Sequence, residues 1–478
     1  MQIAELVKLI KNKRISGLSS NSRRVKKNSI FVAIRGAKED GSKFINEAVE
    51  RGAKFVVCDS KAKVNRLKSA AFIKVKDTRL ALAELAVRFY RNPSRKVKVI
   101  GITGTNGKTT ITYLLEAILK EAKISSGVIG TINYRFKNKV ILAKNTTPGP
   151  LELQSILARM EKEKIKYAVM EVSSHALDQE RVSQVRFHSA VFTNLTQDHL
   201  DYHKTLEGYF KAKLKLFKTL GPGAFAVINN DDKYAARIKK ITRAKIITYG
   251  IDDQADIAAG NIKFDVKHTE FDLLFCGRKI KFRINLIGRH NVYNALAGIA
   301  WALKAGIGLK AIKSALEKFA FVPGRLEQIH SKKGFCVFVD YAHTDDALKN
   351  VLTALRQLSP GKIITLFGCG GERDRLKRPK MGRVASVLSD FAVITSDNPR
   401  SEDPAAIIRD IRKGIKNNNY CVIPDRKKAI RKSLSLAGRG DIVLLAGKGH
   451  ENYQVLKNRT ICFDDRKEVR RCLKSLNY

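Results

Sequence analysis

The sequence predicts an α/β chain of three domains. A central P-loop-type domain is built on a parallel sheet, a smaller α/β unit precedes it, and a Rossmann-like α/β domain follows. Three observations predict this. Apolar runs of strand length alternate with helical segments, the pattern of doubly wound parallel sheets. One run, 97–102, passes into a glycine turn, Gly104-Thr105-Asn106-Gly107-Lys108-Thr109, and then into Ile111, Leu114, Leu115, Ile118 and Leu119 at helical spacing. Polar clusters follow the predicted strands, where open α/β sheets bind their ligands.

The strand–turn–helix at 97–119 is the context a phosphate-binding loop needs. Glycines let backbone N–H groups close around phosphate oxygens, and the helix N-terminus adds positive potential. Lys108 is placed to reach the β and γ phosphates, and the Thr109 hydroxyl to face Mg²⁺. The spacing, G-x-x-G-K-T, is shorter than the common form of this motif. It predicts binding of ATP or a relative.

Composition narrows the class. The 478 residues are 44% apolar, as in an ordinary globular chain able to bury several cores. The opening MQIAELVKLIKNKRI reads as a short amphipathic helix without a signal h-region. No apolar run approaches the ~20 residues of a membrane span, so a cytoplasmic protein is expected. The seven cysteines are scattered without a C-x-x-C pair, which argues against a zinc site or a disulfide scaffold. Lys and Arg total 91 against 45 Asp and Glu, a formal charge of +46. Such an excess suits nucleic acid. The basic residues are nonetheless mixed with acids along the whole chain, with no recognisable nucleic-acid motif. A generally basic protein without a specific nucleic-acid partner is the reading adopted, with nonspecific attraction to polyanions.

In chain order, 1–96 forms the first unit, with strands at 29–34 and 54–58, helices at 44–52 and 80–90, and a linker at Asn92-Pro93-Ser94. The central domain covers 97–322. Its strand 167–172 ends in Glu171, followed by Ser173-Ser174-His175, and its strand 190–193 leads into Asn194-Leu195-Thr196-Gln197-Asp198-His199. Glu171 and His199 are therefore expected to converge on the glycine turn, and a carboxylate suits Mg²⁺. Taken alone, Glu171 reads better as a strand-end surface acid and His199 as a capping or core histidine; their company with Lys108 shifts the balance. The helix at 209–217 has a basic face on which pattern marks no lysine as special. Asn291 and Asn294 sit one helical turn apart, spaced to hold a ligand together. Pro323-Gly324-Arg325 is a turn whose arginine can clamp phosphate across a domain junction. The last domain, 323–478, has strands at 336–339, 363–367, 392–395 and 442–446. The loops after them carry Asp340, Arg373, Asp397-Asn398-Pro399-Arg400, Gly447 and Glu451. Arginines and acids on one sheet edge suit a small zwitterion.

At these residues the sequence resembles the Mur ligase family, most closely its diaminopimelate-adding branch. The stretches that carry the likeness run in order from end to end: NSRRV, GITGTNGKTT, NTTPGPLELQ, MEVSSHALDQERV, FTNLTQDHLDYH, YFKAKLKLF, GRHNVYNALA, VPGRLE, VDYAHTDDAL, FGCGGERDRLKRPKMG, SDNPRSEDP and AGKGHENYQ. The resemblance implies an ATP-dependent ligase of peptidoglycan precursor synthesis, expected as a monomer. It would add meso-diaminopimelate to the D-Glu γ-carboxylate of UDP-MurNAc-L-Ala-D-Glu. Ser22 would contact the uridine diphosphate, and Thr146, Thr147, Ser173, Gln179 and Arg181 would line the muramoyl-dipeptide path. ATP would be held by Gly104 to Thr110, Asn291, Asn294, Arg325 and Asp340. Thr109, Glu171, His199 and Lys213 would serve Mg²⁺, with Lys213 at the position that the family carbamylates. Lys108, Glu171, His199, Lys213 and Arg325 would be catalytic. Arg373, Asp397, Asn398, Pro399, Arg400, Gly447 and Glu451 would read the amino acid, Arg400 pairing with the carboxylate that lysine lacks. Arg400 and the N-terminal unit weigh against a lysine-adding relative and a folylpolyglutamate synthase-like ligase, and the scattered charge against a nucleic-acid-binding ATPase. Gly149, Asp345 and Ala37-Lys38 depart from the family pattern.

Overall fold

The computed structural model describes residues 3–12, 14–36, 39–62, 69–265, 268–358 and 361–475; Ala37-Lys38 lies outside them. Three sheets follow one another along the chain. The first pairs Gly17–Ser19, Ser29–Val32, Ala53–Asp59 and Ala71–Val75 in sequence order, all parallel. Helices Ile3–Lys11 and Thr78–Phe89 bury their apolar sides on one face, and Ile45–Glu50 covers the other. The helix expected at 44–52 starts as a 3₁₀ turn, Gly41–Phe44, because the Asp40 carboxylate accepts from Ser42 N at 2.9 Å and tightens the entry.

The second sheet has eleven strands. Its parallel core runs, across the sheet, through Ile257–Phe264, Lys245–Gly250, Phe225–Asn229, Phe187–Phe192, Lys98–Thr103, Tyr167–Glu171 and Ser126–Ile129. Antiparallel strands extend both edges. Lys98–Thr103 lies inside this core, which is why Val99, Ile100 and Ile102 are all fully buried: a parallel strand covered on both faces must be apolar on both. Helix Lys108–Glu121 packs with Arg289–Lys304 and Leu309–Lys318 on one face, and Pro150–Lys162 and Leu206–Lys218 cover the other.

The third sheet has six strands in the order Glu327–His330, Cys336–Asp340, Ile442–Ala446, Ile363–Phe367, Phe391–Ile394, Tyr420–Val422, parallel except for the first. Helices Asp345–Arg356, Lys377–Leu388 and Pro404–Arg412 cover one face; Arg426–Ser435 and Asp465–Ser475 cover the other. Asp345 stands at the first turn of its helix, behind the Thr344 cap, a position that suits an acid as well as a proline.

Polar side chains tie the second and third sheets together at their ligand edges. Asp346 accepts from Asn106 Nδ2 at 2.9 Å and Thr196 Oγ1 at 3.2 Å, and Lys380 reaches Gln197 at 2.5 Å. The loops after the parallel strands of both sheets therefore face each other across one cleft. Among the described residues no helix is long and apolar enough to cross a membrane.

Candidate active site

The glycine turn is built by close approach. Gly104 has φ +150°, and a Cβ there would lie 1.8 Å from Thr193 Oγ1; Gly107 has φ +88°, and its Cβ would lie 2.4 Å from Asn294 Oδ1. Only glycine fits either place. The helix begins at Lys108, whose Nζ donates to the carbonyls of Gly104 at 2.9 Å and Thr105 at 2.8 Å. Lys213 reaches the same Gly104 carbonyl at 2.8 Å from helix Leu206–Lys218, with its Nζ 4.3 Å from the Tyr209 ring centre. Burial pushes Lys108 below the ordinary lysine range, and burial followed by the charge of Lys108 pushes Lys213 far below it.

Glu171, the last residue of its strand, accepts from Thr109 Oγ1 at 3.0 Å and from Thr131 N and Oγ1 at 2.8 and 2.9 Å. His199 stands opposite with φ +55°, its Nε2 3.4 Å from Asp198 Oδ2. These residues line a cavity of about 150 Å³ together with Lys108, Lys213, Thr146, Ser173 and Arg325. Among the described residues no group of three or more His, Cys, Asp or Glu is gathered to hold a metal alone. Thr109, Glu171 and His199 beside a phosphate turn fit Mg²⁺, which takes one or two carboxylates and completes its shell with phosphate oxygens and water.

A second cavity, of about 200 Å³, adjoins the turn through Asn106, Gly107 and Thr110 and is lined by Asn291, Asn294, Arg325 and Asp340. Asn294 Nδ2 donates to Asn291 Oδ1 at 3.0 Å, and Asn291 Nδ2 donates to the Ile287 carbonyl at 2.8 Å, so the pair is a fixed unit. Burial pushes Asp340 up, while Arg325 and the amides of Leu326 and Ala342, both at 2.7 Å, oppose the shift. Arg325 spans both cavities, donating to Thr109 Oγ1 at 3.3 Å and lying 4.7 Å above the Tyr341 ring.

The third cavity, of about 350 Å³, lies between the sheets. Arg373, Arg400, Asp397, Asn398, Gly447 and Glu451 form its far wall. Lys448 Nζ binds Glu451 at 3.1 Å and stands 3.8 Å from Asp397, and Asn398 donates to Glu451 at 2.8 Å. Asp397 Oδ1, the oxygen that stands 3.8 Å from Lys448 Nζ, is buried without a hydrogen-bond partner among the described residues. Gly447 has φ +109°, and a Cβ there would touch Asp397 Oδ2 at 3.0 Å. Arg400 has φ +54° and donates through Nη1 to the Gly371 carbonyl at 2.7 Å; the Pro399 carbonyl packs against Gly371.

Thr146, Thr147, Ser173, Gln179 and Arg181 form a connected strip. Thr131 Oγ1 lies 3.1 Å from Thr146 Oγ1, Ser173 N donates to Thr147 Oγ1 at 3.0 Å, and Arg181 donates to Gln179 Oε1 at 2.6 Å and to the Thr147 carbonyl at 3.0 Å. The strip leads towards a groove of about 480 Å³ against the N-terminal sheet, lined by Ser19, Ser20, Asn21, Arg24 and Gly149. Ser22 is not among its lining residues: its buried hydroxyl donates to Glu47 at 2.7 Å. A Cβ on Gly149 would meet nothing within 4 Å, so the departure there leaves space rather than strain.

Known proteins share this arrangement. Residues 14–90 match the Mur ligase family catalytic domain, 102–302 the Mur ligase middle domain, and 324–449 the Mur ligase glutamate ligase domain. UDP-N-acetylmuramoyl-L-alanyl-D-glutamate–2,6-diaminopimelate ligase 1 of Clostridium acetobutylicum is 47% identical over 467 residues, covering 97% of this chain and 96% of that protein. The chain belongs to the Mur ligase family. The diaminopimelate ligase of Aquifex aeolicus is likewise 47% identical over 462 residues, covering 96% of this Mur ligase and 94% of its relative. A solved diaminopimelate ligase superposes with a TM-score of 0.68 at 34% identity, over 97% of this chain and 96% of that one.

Several residues that line this Mur ligase's clefts are not among the site candidates drawn from the sequence: Thr131, Asp198, Tyr341, His343 and His450. Most lie within a few positions of a candidate site residue, and that adjacency is the available signal. Thr131 has none, because only the fold of Ser126–Ile129 beside Tyr167–Glu171 brings it to Glu171.

Proposed function

We propose that this Mur ligase is an ATP-dependent, ADP-forming amide ligase of peptidoglycan precursor synthesis. It joins the D-Glu γ-carboxylate of UDP-MurNAc-L-Ala-D-Glu to an amine of meso-2,6-diaminopimelate. The observation that carries the reading is the meeting of three cavities at Tyr341: a phosphate turn, a nucleotide slot and a pocket walled by arginines and acids. In this reading residues 1–96 hold the uridine nucleotide, 97–322 hold ATP, and 323–478 hold the amino acid. The protein acts as a cytoplasmic monomer.

A carboxylate acylates poorly, so it must be activated. Its oxygen attacks the γ-phosphorus of ATP, the bond to the β-phosphate oxygen breaks, and ADP leaves an acyl phosphate. Lys108 and Arg325 balance the charge spread over the phosphoryl oxygens. Mg²⁺, when held by Thr109, Glu171 and His199, supplies further neutralisation there. The amine then attacks the acyl carbon, the C–O bond breaks, and phosphate departs. Lys213, pushed towards the neutral amine by burial, is suited to take up CO₂, release a proton and become an anionic carbamate facing the metal position. Asp397 and Glu451 meet the ammonium of the amino acid's far end, and Arg400 meets its carboxylate.

Phosphate release in the presence of ATP, Mg²⁺ and both partners tests the reaction. Release should require UDP-MurNAc-L-Ala-D-Glu, and ligation should require the diamine; turnover with either omitted would reject it. The turn at Pro323-Gly324 is the proposed hinge for domain closure. Scattering profiles that stay the same with and without ligands would reject that part.

A further inference from the structure

We propose that Asp198 and His343 together seat the attacking ammonium group and that His343 is the base that takes its proton. This rests on the ligase reading above, which requires a neutral amine at the acyl carbon but leaves the proton's destination open.

The geometry is a pair of acceptors with room for a donor between them. His343 Nδ1 lies 2.9 Å from the Tyr341 carbonyl, and because a carbonyl only accepts, the ring proton sits on Nδ1. Nε2 is then left with its lone pair, and it faces Asp198 Oδ2 at 4.0 Å. Two acceptors at that spacing do not bond each other, but one N⁺–H₃ group can donate to both at ordinary hydrogen-bond distances. Asp198 is held in place for such a contact, since its Oδ1 accepts from His199 N at 2.8 Å and its side chain is buried.

The seat is also in the right place. Asp198 and His343 line both the phosphate cavity and the amino-acid cavity, so they stand where the acyl carbon and the amine must meet. Arg400 and Glu451 occupy the opposite wall, where they hold the far end of the diamine. The charged and titratable groups around His343 are Asp198 and His199 on the loop after Phe187–Phe192, Arg325 at the hinge, Lys377 on its helix, Tyr341 beside it, and His450. Burial and then Lys377 hold His343 down to about 4, so the ring is neutral at pH 7 and hands a captured proton on to water. In the step, one ammonium proton moves to Nε2 and frees the nitrogen lone pair, the N–C bond forms, the C–O bond breaks with its electron pair on the phosphate oxygen, and the second nitrogen proton leaves with the phosphate. Asp198 comes from the central domain and His343 from the C-terminal one. The base is therefore complete only when the two domains meet.

Hydroxylamine provides the test, because it is neutral at pH 7 and reaches an acyl phosphate without a base. Wild type, H343A and H343Q are each given ATP, Mg²⁺ and UDP-MurNAc-L-Ala-D-Glu with either hydroxylamine or meso-diaminopimelate. Both variants are expected to keep hydroxamate formation within about twofold of wild type. They should lose amide formation by roughly 10²-fold or more, the scale of general-base catalysis. The deficit should shrink as the pH is raised and the amine sheds its own proton. Equal loss of both products, or no loss of amide, would overturn the assignment. If wild type itself yields neither product, the ligase reading fails and takes this inference with it.

Discussion

Lys108 and Lys213 donate to one and the same backbone oxygen, the Gly104 carbonyl, at 2.9 and 2.8 Å. Two ammonium groups on one neutral acceptor disfavour each other's charge, most of all that of the buried Lys213. Burial lowers both; the carboxylates of Glu171 and Asp198 oppose the shift of Lys108, whereas Lys213 has Asp198 alone in its favour and the charge of Lys108 against it. Lys213 is the member pushed further towards the free amine.

A free amine at that position should react with CO₂. Protein incubated with ¹³C-bicarbonate is expected to show one carbamate resonance that is absent from K213A. Turnover of K213A should fall by about 10²-fold or more, as when a preorganised charge is removed from a phosphoryl-transfer site. Full activity of K213A at low bicarbonate would contradict the role.

R400A should act on the choice of amino acid. Removing the partner of a desolvated carboxylate costs about 2–5 kcal/mol, so kcat/KM for meso-diaminopimelate should fall by that amount while the KM for ATP stays put. Discrimination against L-lysine should collapse with it, as competition kinetics would record.

Acid should destabilise the fold through its histidines. Burial holds His203, His290 and His343 at about 4, against about 6.5 in the unfolded chain. Between those values the unfolded state binds more protons than the folded one, so stability falls as pH drops through the window and is fully present above it. The thermal midpoint should be lower at pH 5 than at pH 7.5; a flat profile would show that these rings titrate normally.

D465N should cost about 3–5 kcal/mol of folding free energy, because it strands a buried arginine. Arg426 donates to both Asp465 oxygens at 2.8 and 2.7 Å with neither side chain exposed. The same guanidinium donates to the Ala446 carbonyl at 3.2 Å, next to Gly447, so amino-acid binding should weaken together with stability. Denaturant midpoints and the KM for the diamine measure the two effects.

The sequence revealed most where burial was complete. Lys98–Thr103, Tyr167–Glu171, Ile363–Phe367 and Ile442–Ala446 are covered on both faces, so they read as nearly unbroken apolar runs. The edge strand Arg278–Ile284 has one face in water and alternates charge with apolar residues. It pairs antiparallel with Thr269–Phe275, a partnership that short apolar runs do not announce. At the site, Glu171 and His199 were legible because they end or follow strands. Lys213 was not distinguishable by pattern from its neighbours: Lys211 leaves 70% of its side chain in solvent, while Lys213 is only 2% exposed, and only the packing of the helix separates them. The pairing of Asp198 with His343 crosses two domains, and no spacing in the chain encodes it.

One competition decides the central claim. Purified protein with ATP, Mg²⁺ and UDP-MurNAc-L-Ala-D-Glu is offered equal concentrations of meso-diaminopimelate and L-lysine, and the products are weighed by mass spectrometry. The diaminopimelate tripeptide should dominate, with one ADP formed per amide bond; equal amounts of the two tripeptides, or ADP without either, would contradict it.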